Sequence, residues 1–319
     1  MTKLIAITGG TGQQGGGVAN ILLKTPGWKV RIITRNAEGD KAKALVAQGA
    51  EVVSANLDDE ASLVKAFEGA NAIFGVTNFW EHLFTGKSQS ESGEVEATQA
   101  MNLARAAAKT PTLEHYIWST LPNAKKLSKG KTLCAHLDYK AEVDDRIRAE
   151  LPELAKKTTF LFFGYYPSNM VFFPMLKPFE LPGSYGKYAQ IVPTPPSARI
   201  PVAGDMTVTP GIWVRQILAN PSLTHTKYAN VAPETLSFGE MLDMWSEVTG
   251  RQGVYLQVSP QDYEKAWGVG GAELADQLVF GEQVADWNEG VQAVGMSELG
   301  IKEEEVPGLK ATIEGLKAM

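Results

Sequence analysis

A single cysteine, Cys134, stands in a chain of 319 residues, so no internal disulfide can form. Histidine is also scarce: His82, His115, His136 and His225 are the only four, too few for a zinc site of clustered Cys and His, and no metal is expected. Positive charge is not in excess. Thirty Lys and Arg stand against 36 Asp and Glu, a net charge of −6 that gives no general attraction to nucleic acid or anionic lipid. The one basic cluster, residues 125–131, reads as solvated loop charge. Long apolar runs are missing too. The most apolar window, residues 158–176, is broken by Gly164, Pro167, Ser168 and Asn169, whereas a membrane helix needs about 20 mostly apolar residues. The apolar run at the amino terminus is too short for a secretory signal. These absences predict a cytoplasmic protein that contacts neither membrane nor nucleic acid directly.

What is present is ordinary globular composition, 44% hydrophobic and 21% charged, with glycine and proline near average usage and without period. Short β-rich apolar runs alternate with helical patterns. Strands are expected at 4–8, 29–34, 51–54, 72–76, 115–119 and 158–163, and helices at 15–23, 41–48, 60–67, 91–109 and 133–150. Right-handed crossovers make such strands parallel, so the fold expected is α/β, a doubly wound parallel sheet of the Rossmann type. After residue 163 the rhythm degrades. Residues 167–210 are rich in Pro and Gly and predict loops over the carboxyl edge of the sheet. Helices are expected at 211–219, 237–249 and 260–267, followed by a Gly/Ala-rich stretch to about 289. The division expected is a nucleotide-binding domain at 1–165 and a smaller, mostly helical lobe at 166–319. That lobe is interleaved with the main sheet near Gly211 and Asn230.

Between the first strand and helix lies Gly9-Gly10-Thr11-Gly12-Gln13-Gln14-Gly15. Glycine at 9 permits a tight turn, at 12 lets backbone approach a pyrophosphate, and at 15 lets the helix pack close to the strand. The free N–H groups that open the helix then face the anion. A glycine triplet alone is also compatible with a plain flexible turn; its place after a β-rich strand and before an apolar helix favours the phosphate cradle. At the end of the second strand, where an acidic residue would accept from a ribose diol, the chain has Arg35, with Lys41 and Lys43 nearby. A guanidinium suits a 2′-phosphate, so NADP(H) is favoured over NAD(H). The alternative is a solvated surface cation.

These residues resemble the NmrA-like family of atypical short-chain dehydrogenases/reductases, including its fungal relatives and the human redox-sensing branch. The matching pieces are residues 9–15, the strand end 30–36, Val76-Thr77-Asn78-Phe79-Trp80-Glu81, Trp118-Ser119-Thr120-Leu121, Ala135-His136-Leu137-Asp138-Tyr139-Lys140 and Gly164-Tyr165-Tyr166-Pro167-Ser168-Asn169, together covering about residues 1–260. The resemblance implies an NADP(H)-binding fold whose members divide into reductases and catalytically silent sensors or co-regulators. By position it implies that Gly9, Thr11, Gly12, Gln13 and Gln14 touch the pyrophosphate, Arg35 the 2′-phosphate, and Asn56 with Leu57 the adenine. Thr77 and Asn78 would line the path to the nicotinamide ribose, Lys140 would hold that ribose, and Tyr165, Tyr166 and Asn169 would lie near the ring. Position 56 departs from the family, in which many members carry Asp; Asn still accepts and donates, so little is lost.

Short-chain reductases place Tyr and Lys four residues apart on one helix face. Here that spacing holds His136 and Lys140. Tyr139 is adjacent to Lys140, but neighbouring helical positions diverge by about 100° and cannot share the geometry. Two accounts stay open. In one, His136 supplies or relays a proton to a carbonyl oxygen, Lys140 fixes the ribose, and Ser119 or Thr120 polarises the oxygen. The substrate is then a carbonyl or conjugated small molecule. In the other, His136 is structural and the protein senses NADP(H) through a protein partner, with residues 81–93 and 194–201 as mobile segments. The helices at 91–109 and 133–150 are where a homodimer would pair.

Overall fold

The computed structural model describes residues 2–317; Met1, Ala318 and Met319, which the expected domain ranges include, lie outside the described residues. Six parallel strands occupy the first half: Lys3–Thr8 (β1), Trp28–Thr34 (β2), Glu51–Ser54 (β3), Ala72–Gly75 (β4), His115–Thr120 (β5) and Thr158–Phe163 (β6). Between them run helices Gln13–Leu22 (α1), Asp40–Ala47 (α2), Glu60–Ala66 (α3), Phe79–Leu83 (α4), Gln89–Ala108 (α5), Ala124–Leu127 (α6) and Ala135–Glu150 (α7). Strands Tyr228–Val231 and Ala293–Val294 extend the sheet beyond β6. The order is β3, β2, β1, β4, β5, β6 and then these two.

Every residue of β4, β5 and β6 is buried, as expected of parallel strands covered on both faces. Side chains alternate between two cores: Ile5, Ile7 and Ile117 pack with Val18, Leu22 and Trp213 on one face, while Ala6, Tyr116 and Trp118 pack with Leu63, Leu103 and Val143 on the other. The strand order reverses between β1 and β4. A crevice therefore opens at their carboxyl ends, where parallel α/β sheets bind ligands.

The second half differs from the sequence expectation in three places. Residues 167–210 are not only loops. Phe179–Glu180 and Lys187–Val192 form a small sheet with Gln252–Gln257, and Arg199–Val202 pairs with Glu234–Ser237. Apart from the two-residue pairing of Phe179–Glu180 with Lys187–Val192, the partners lie far along the chain, so local pattern cannot show them. The Gly/Ala-rich stretch, to which the sequence assigns no element, is helical as far as Gln283, continuing the preceding helix as Pro260–Gln283 across a kink at Gly268 (φ 64°, ψ −150°). Within the segment 81–93 only residues 84–88 lie outside helices. Its ends are taken by α4 and by α5, which starts at a capping box between Ser88 and Glu91. Among the described residues no helix is long and apolar enough to cross a membrane.

Candidate functional site

At the reversal point lies a cleft of about 560 Å³. All the site residues expected from sequence line it. Gly9, Thr11, Gly12, Gln13 and Gln14 form one end; Arg35, Asn56 and Leu57 flank it. Thr77, Asn78, Ser119, Thr120, His136, Lys140, Tyr165, Tyr166 and Asn169 line the remainder.

The glycine turn is built for close approach. Gly9 has φ 60°, and the N–H of Gly12 donates to its carbonyl at 2.8 Å. A Cβ on Gly15 would sit 2.5 Å from the Gly9 carbonyl carbon, so only glycine lets α1 start against the end of β1. The first turn of α1 carries no side-chain cap on Gly12, so its opening N–H groups are free to meet an anion. The side chains of Gln13 and Gln14 turn elsewhere. Ser168 Oγ donates to Gln13 Oε1 at 2.7 Å, and Gln14 Nε2 donates to Tyr166 OH at 2.6 Å. The two glutamines tie the 164–169 segment to the turn with their side chains and leave their backbone for a ligand. Burial pushes the Tyr166 phenol up to about 12, so it stays protonated.

At the flank, Arg35 forks onto Glu81, with Nη1–Oε1 at 2.5 Å and Nη2–Oε2 at 3.0 Å. The guanidinium holds the Glu81 carboxyl below the usual range. Both side chains are substantially exposed, so the pair is exchangeable rather than a structural tie. Asn56 Oδ1 already accepts from the N–H of Asp58, and Leu57 O accepts from Asn102 Nδ2.

Deeper in, Lys140 Nζ donates to Thr77 Oγ1 at 2.7 Å and pairs with Glu96 Oε1 at 2.9 Å, lying 5.1 Å from the Trp118 ring centroid. Thr77 Oγ1 in turn donates to Glu96 Oε1. Glu96 was not anticipated. Its one sequence signal is a carboxylate on the small, apolar face of α5, among Ser92, Gly93, Ala97 and Ala100.

The far end is aromatic. The His136 ring lies 5.4 Å from Trp80 and 5.6 Å from Phe79, and Trp80 stacks edge-on to Phe173 at 5.7 Å. His136 Nδ1 is 2.5 Å from Glu273 Oε1, a second carboxylate the sequence did not point to. Cys134 Sγ and the His136 backbone N–H also reach this oxygen. Thiol, imidazole and carboxylate converge here, but two ligands of a tetrahedral zinc at about 2.0–2.1 Å would stand roughly 3.3 Å apart. A separation of 2.5 Å is that of a hydrogen bond. Burial, with the nearby charges of Glu273 and Asp276, pushes the Cys134 thiol well up, so it stays protonated and donates its hydrogen to the carboxylate. Tyr139 lies outside the cleft, its ring against Gly93 and its hydroxyl 2.9 Å from Ser90 Oγ.

The fold and the glycine turn define a doubly wound α/β protein of the nucleotide-binding class. The NmrA-like family profile matches residues 1–303, and the chain belongs to that family. An NmrA-like family domain-containing protein of Dictyostelium discoideum is 28% identical over 90% of this chain and 90% of its own length. An NmrA-like family domain-containing oxidoreductase of Aspergillus hancockii is 26% identical over 88% of this chain and 82% of its own. Among solved structures, NmrA, a negative transcriptional regulator, in complex with NADP superposes with a TM-score of 0.77 at 22% identity, covering 98% of this chain and 94% of that one. An NADPH-dependent quinone oxidoreductase of Escherichia coli in complex with NADPH superposes at 0.70 and 21% identity, over 98% of this chain and 99% of that one. At these identities the two structures establish a shared fold.

Proposed function

We propose that the protein binds NADPH and reduces a carbonyl or conjugated small molecule, with residues 1–165 holding the nucleotide and residues 166–319 shaping the substrate side. The observation that carries this reading is the continuity of one cleft from the glycine turn past Lys140 to His136. The residues fit the cofactor: free N–H groups and a glycine that excludes a Cβ at one end, a forked cation at the flank, and a buried ammonium further in.

In this reading the backbone of Gly9, Thr11, Gly12, Gln13 and Gln14 receives the pyrophosphate. Arg35 exchanges Glu81 for the 2′-phosphate, and Asn56 and Leu57 flank the adenine. Thr77, Asn78 and Lys140 hold the nicotinamide ribose, and Tyr165, Tyr166 and Asn169 border the ring. Bound NADPH supplies a hydride. His136 then donates a proton to the substrate oxygen, while Ser119 or Thr120 polarises it. The aromatic end, with Phe79, Trp80 and Phe173, keeps water away from the exchange.

The test is loss of NADPH absorbance with a panel of ketones, quinones and enones. His136→Ala should lower turnover by about 10²–10⁴-fold and leave NADPH affinity within a few-fold. Unchanged turnover removes His136 from the chemistry. A second reading, a silent sensor of NADPH acting through a protein partner, is favoured by the absence of the usual Tyr and by the likeness to a transcriptional regulator. Silence across the panel, with a partner retained in only one cofactor state, would support it.

A further inference from the structure

We propose that Glu273 is the positioning residue for His136: it fixes the imidazole as the Nδ1–H tautomer and turns Nε2 into the cleft as the proton-transferring atom. This rests on the reductase reading for its catalytic consequence, but not for its geometry.

Glu273 is fully buried on the helix Pro260–Gln283, and a buried carboxylate must be satisfied or it costs stability. Both of its oxygens are satisfied, and the donors are specific. Oε1 accepts from His136 Nδ1 at 2.5 Å, from the His136 backbone N–H at 2.8 Å and from Cys134 Sγ at 3.4 Å. Oε2 accepts from Gln89 Nε2 at 2.7 Å. Burial alone would push the Glu273 carboxyl up; the hydrogen bonds and charge of His136, its backbone N–H and Gln89 together hold it below the usual range. An acceptor-only carboxylate at Nδ1 requires the proton on that nitrogen. Nε2 has no partner among the described residues, and His136 lines the cleft.

A simpler role must be separated from this one. The Cys134 side chain does not cap α7, and Glu273 meets the His136 N–H in its first turn, so the carboxylate also serves as a cap from a distant helix. Capping needs only the backbone contact. The additional Nδ1 contact is what assigns the tautomer. The proton balance then closes simply. Protonated His136 gives up its Nε2 proton to the substrate oxygen as the hydride reduces the adjacent carbon. The ring is left neutral with Nδ1–H still on Glu273, and solvent returns the proton to Nε2.

The measurement is the ring ¹⁵N spectrum of His136 in the full-length protein, assigned with His136→Gln, alongside Glu273→Gln and Glu273→Met. The parent should show a protonated Nδ1 and, in the neutral ring, a bare Nε2. Glu273→Gln keeps an acceptor and should keep that tautomer. Glu273→Met should release the ring to a mixture. With a turnover substrate in hand, kcat should fall about tenfold or more in Glu273→Met and less in Glu273→Gln, with the KM for NADPH changed less than about threefold. An Nε2–H tautomer in the parent overturns the proposal outright, even if neither variant folds. A folded Glu273→Met protein with the parental tautomer and kcat overturns it as well. A locked ring without turnover on any substrate supports the positioning and counts against the reductase reading alone.

Discussion

Lys140 Nζ lies 2.9 Å from Glu96 Oε1, and the two side chains are only 9% and 1% exposed. A lysine at this place is thus held by a counter-charge from α5 as well as by Thr77. The pair presets the ammonium in the cleft instead of leaving a four-carbon chain to find its position on binding.

Removing one partner of such a pair strands a buried charge. Glu96→Ala should lower the unfolding free energy by about 3 kcal/mol in urea titrations, whereas the double change Glu96→Leu with Lys140→Met should recover most of it. Equal stability of Glu96→Ala and the parent would show that the pair does not hold the cleft. Lys140→Ala should weaken NADPH binding whether or not the protein turns substrate over.

Arg35 is the residue that should distinguish the two nicotinamide nucleotides. Loss of a charge-assisted hydrogen bond is worth about 1.5–3 kcal/mol, so Arg35→Ala should raise the Kd for NADPH by about tenfold or more and leave NADH nearly unchanged. Glu81 occupies the same guanidinium, and Glu81→Gln should therefore tighten NADPH by a few-fold. Fluorescence titration reads both. Parallel changes for the two nucleotides would remove Arg35 from the 2′-phosphate.

Asp276 gives the site a pH signature. Burial, and then the charge of Glu273, raises its carboxyl from 3.8 to about 6. An acid whose folded value lies above its unfolded one favours folding while protonated. That contribution is complete below about pH 4 and is lost as pH rises through about 6. Asp276→Asn should therefore be more stable than the parent at pH 8 and equal to it or weaker at pH 4, as followed by thermal melting. A stability difference that does not change between those pH values would contradict this assignment.

The parts legible in the sequence are those whose signal is local. A strand buried on both faces writes a continuous apolar run, as in Phe160-Leu161-Phe162-Phe163, and Gly9 and Gly15 answer to steric limits set within a few residues. Glu273 is different. It is the one charge among Gly270-Gly271-Ala272-Glu273-Leu274-Ala275, in a Gly/Ala-rich stretch to which the sequence assigns no element, and only the folded chain brings it to His136. The small strands after residue 178 were hidden for a similar reason: Lys187–Val192 pairs in parallel with Gln252–Gln257 far along the chain, and its neighbouring antiparallel partner, Phe179–Glu180, is too short to write a pattern of its own. Glu81 lies on its helix as an ordinary charged residue and Glu96 is marked only by its place on the small, apolar face of α5; nothing local says that one meets Arg35 and the other Lys140.

The most direct measurement is isothermal calorimetry of the purified protein with NADPH and, separately, NADH. The account predicts uptake of one nucleotide per chain, tighter for NADPH, and loss of that preference in Arg35→Ala. Failure to take up either nucleotide would contradict the cradle at Gly9–Gly15 and, with it, both the reductase and the sensor.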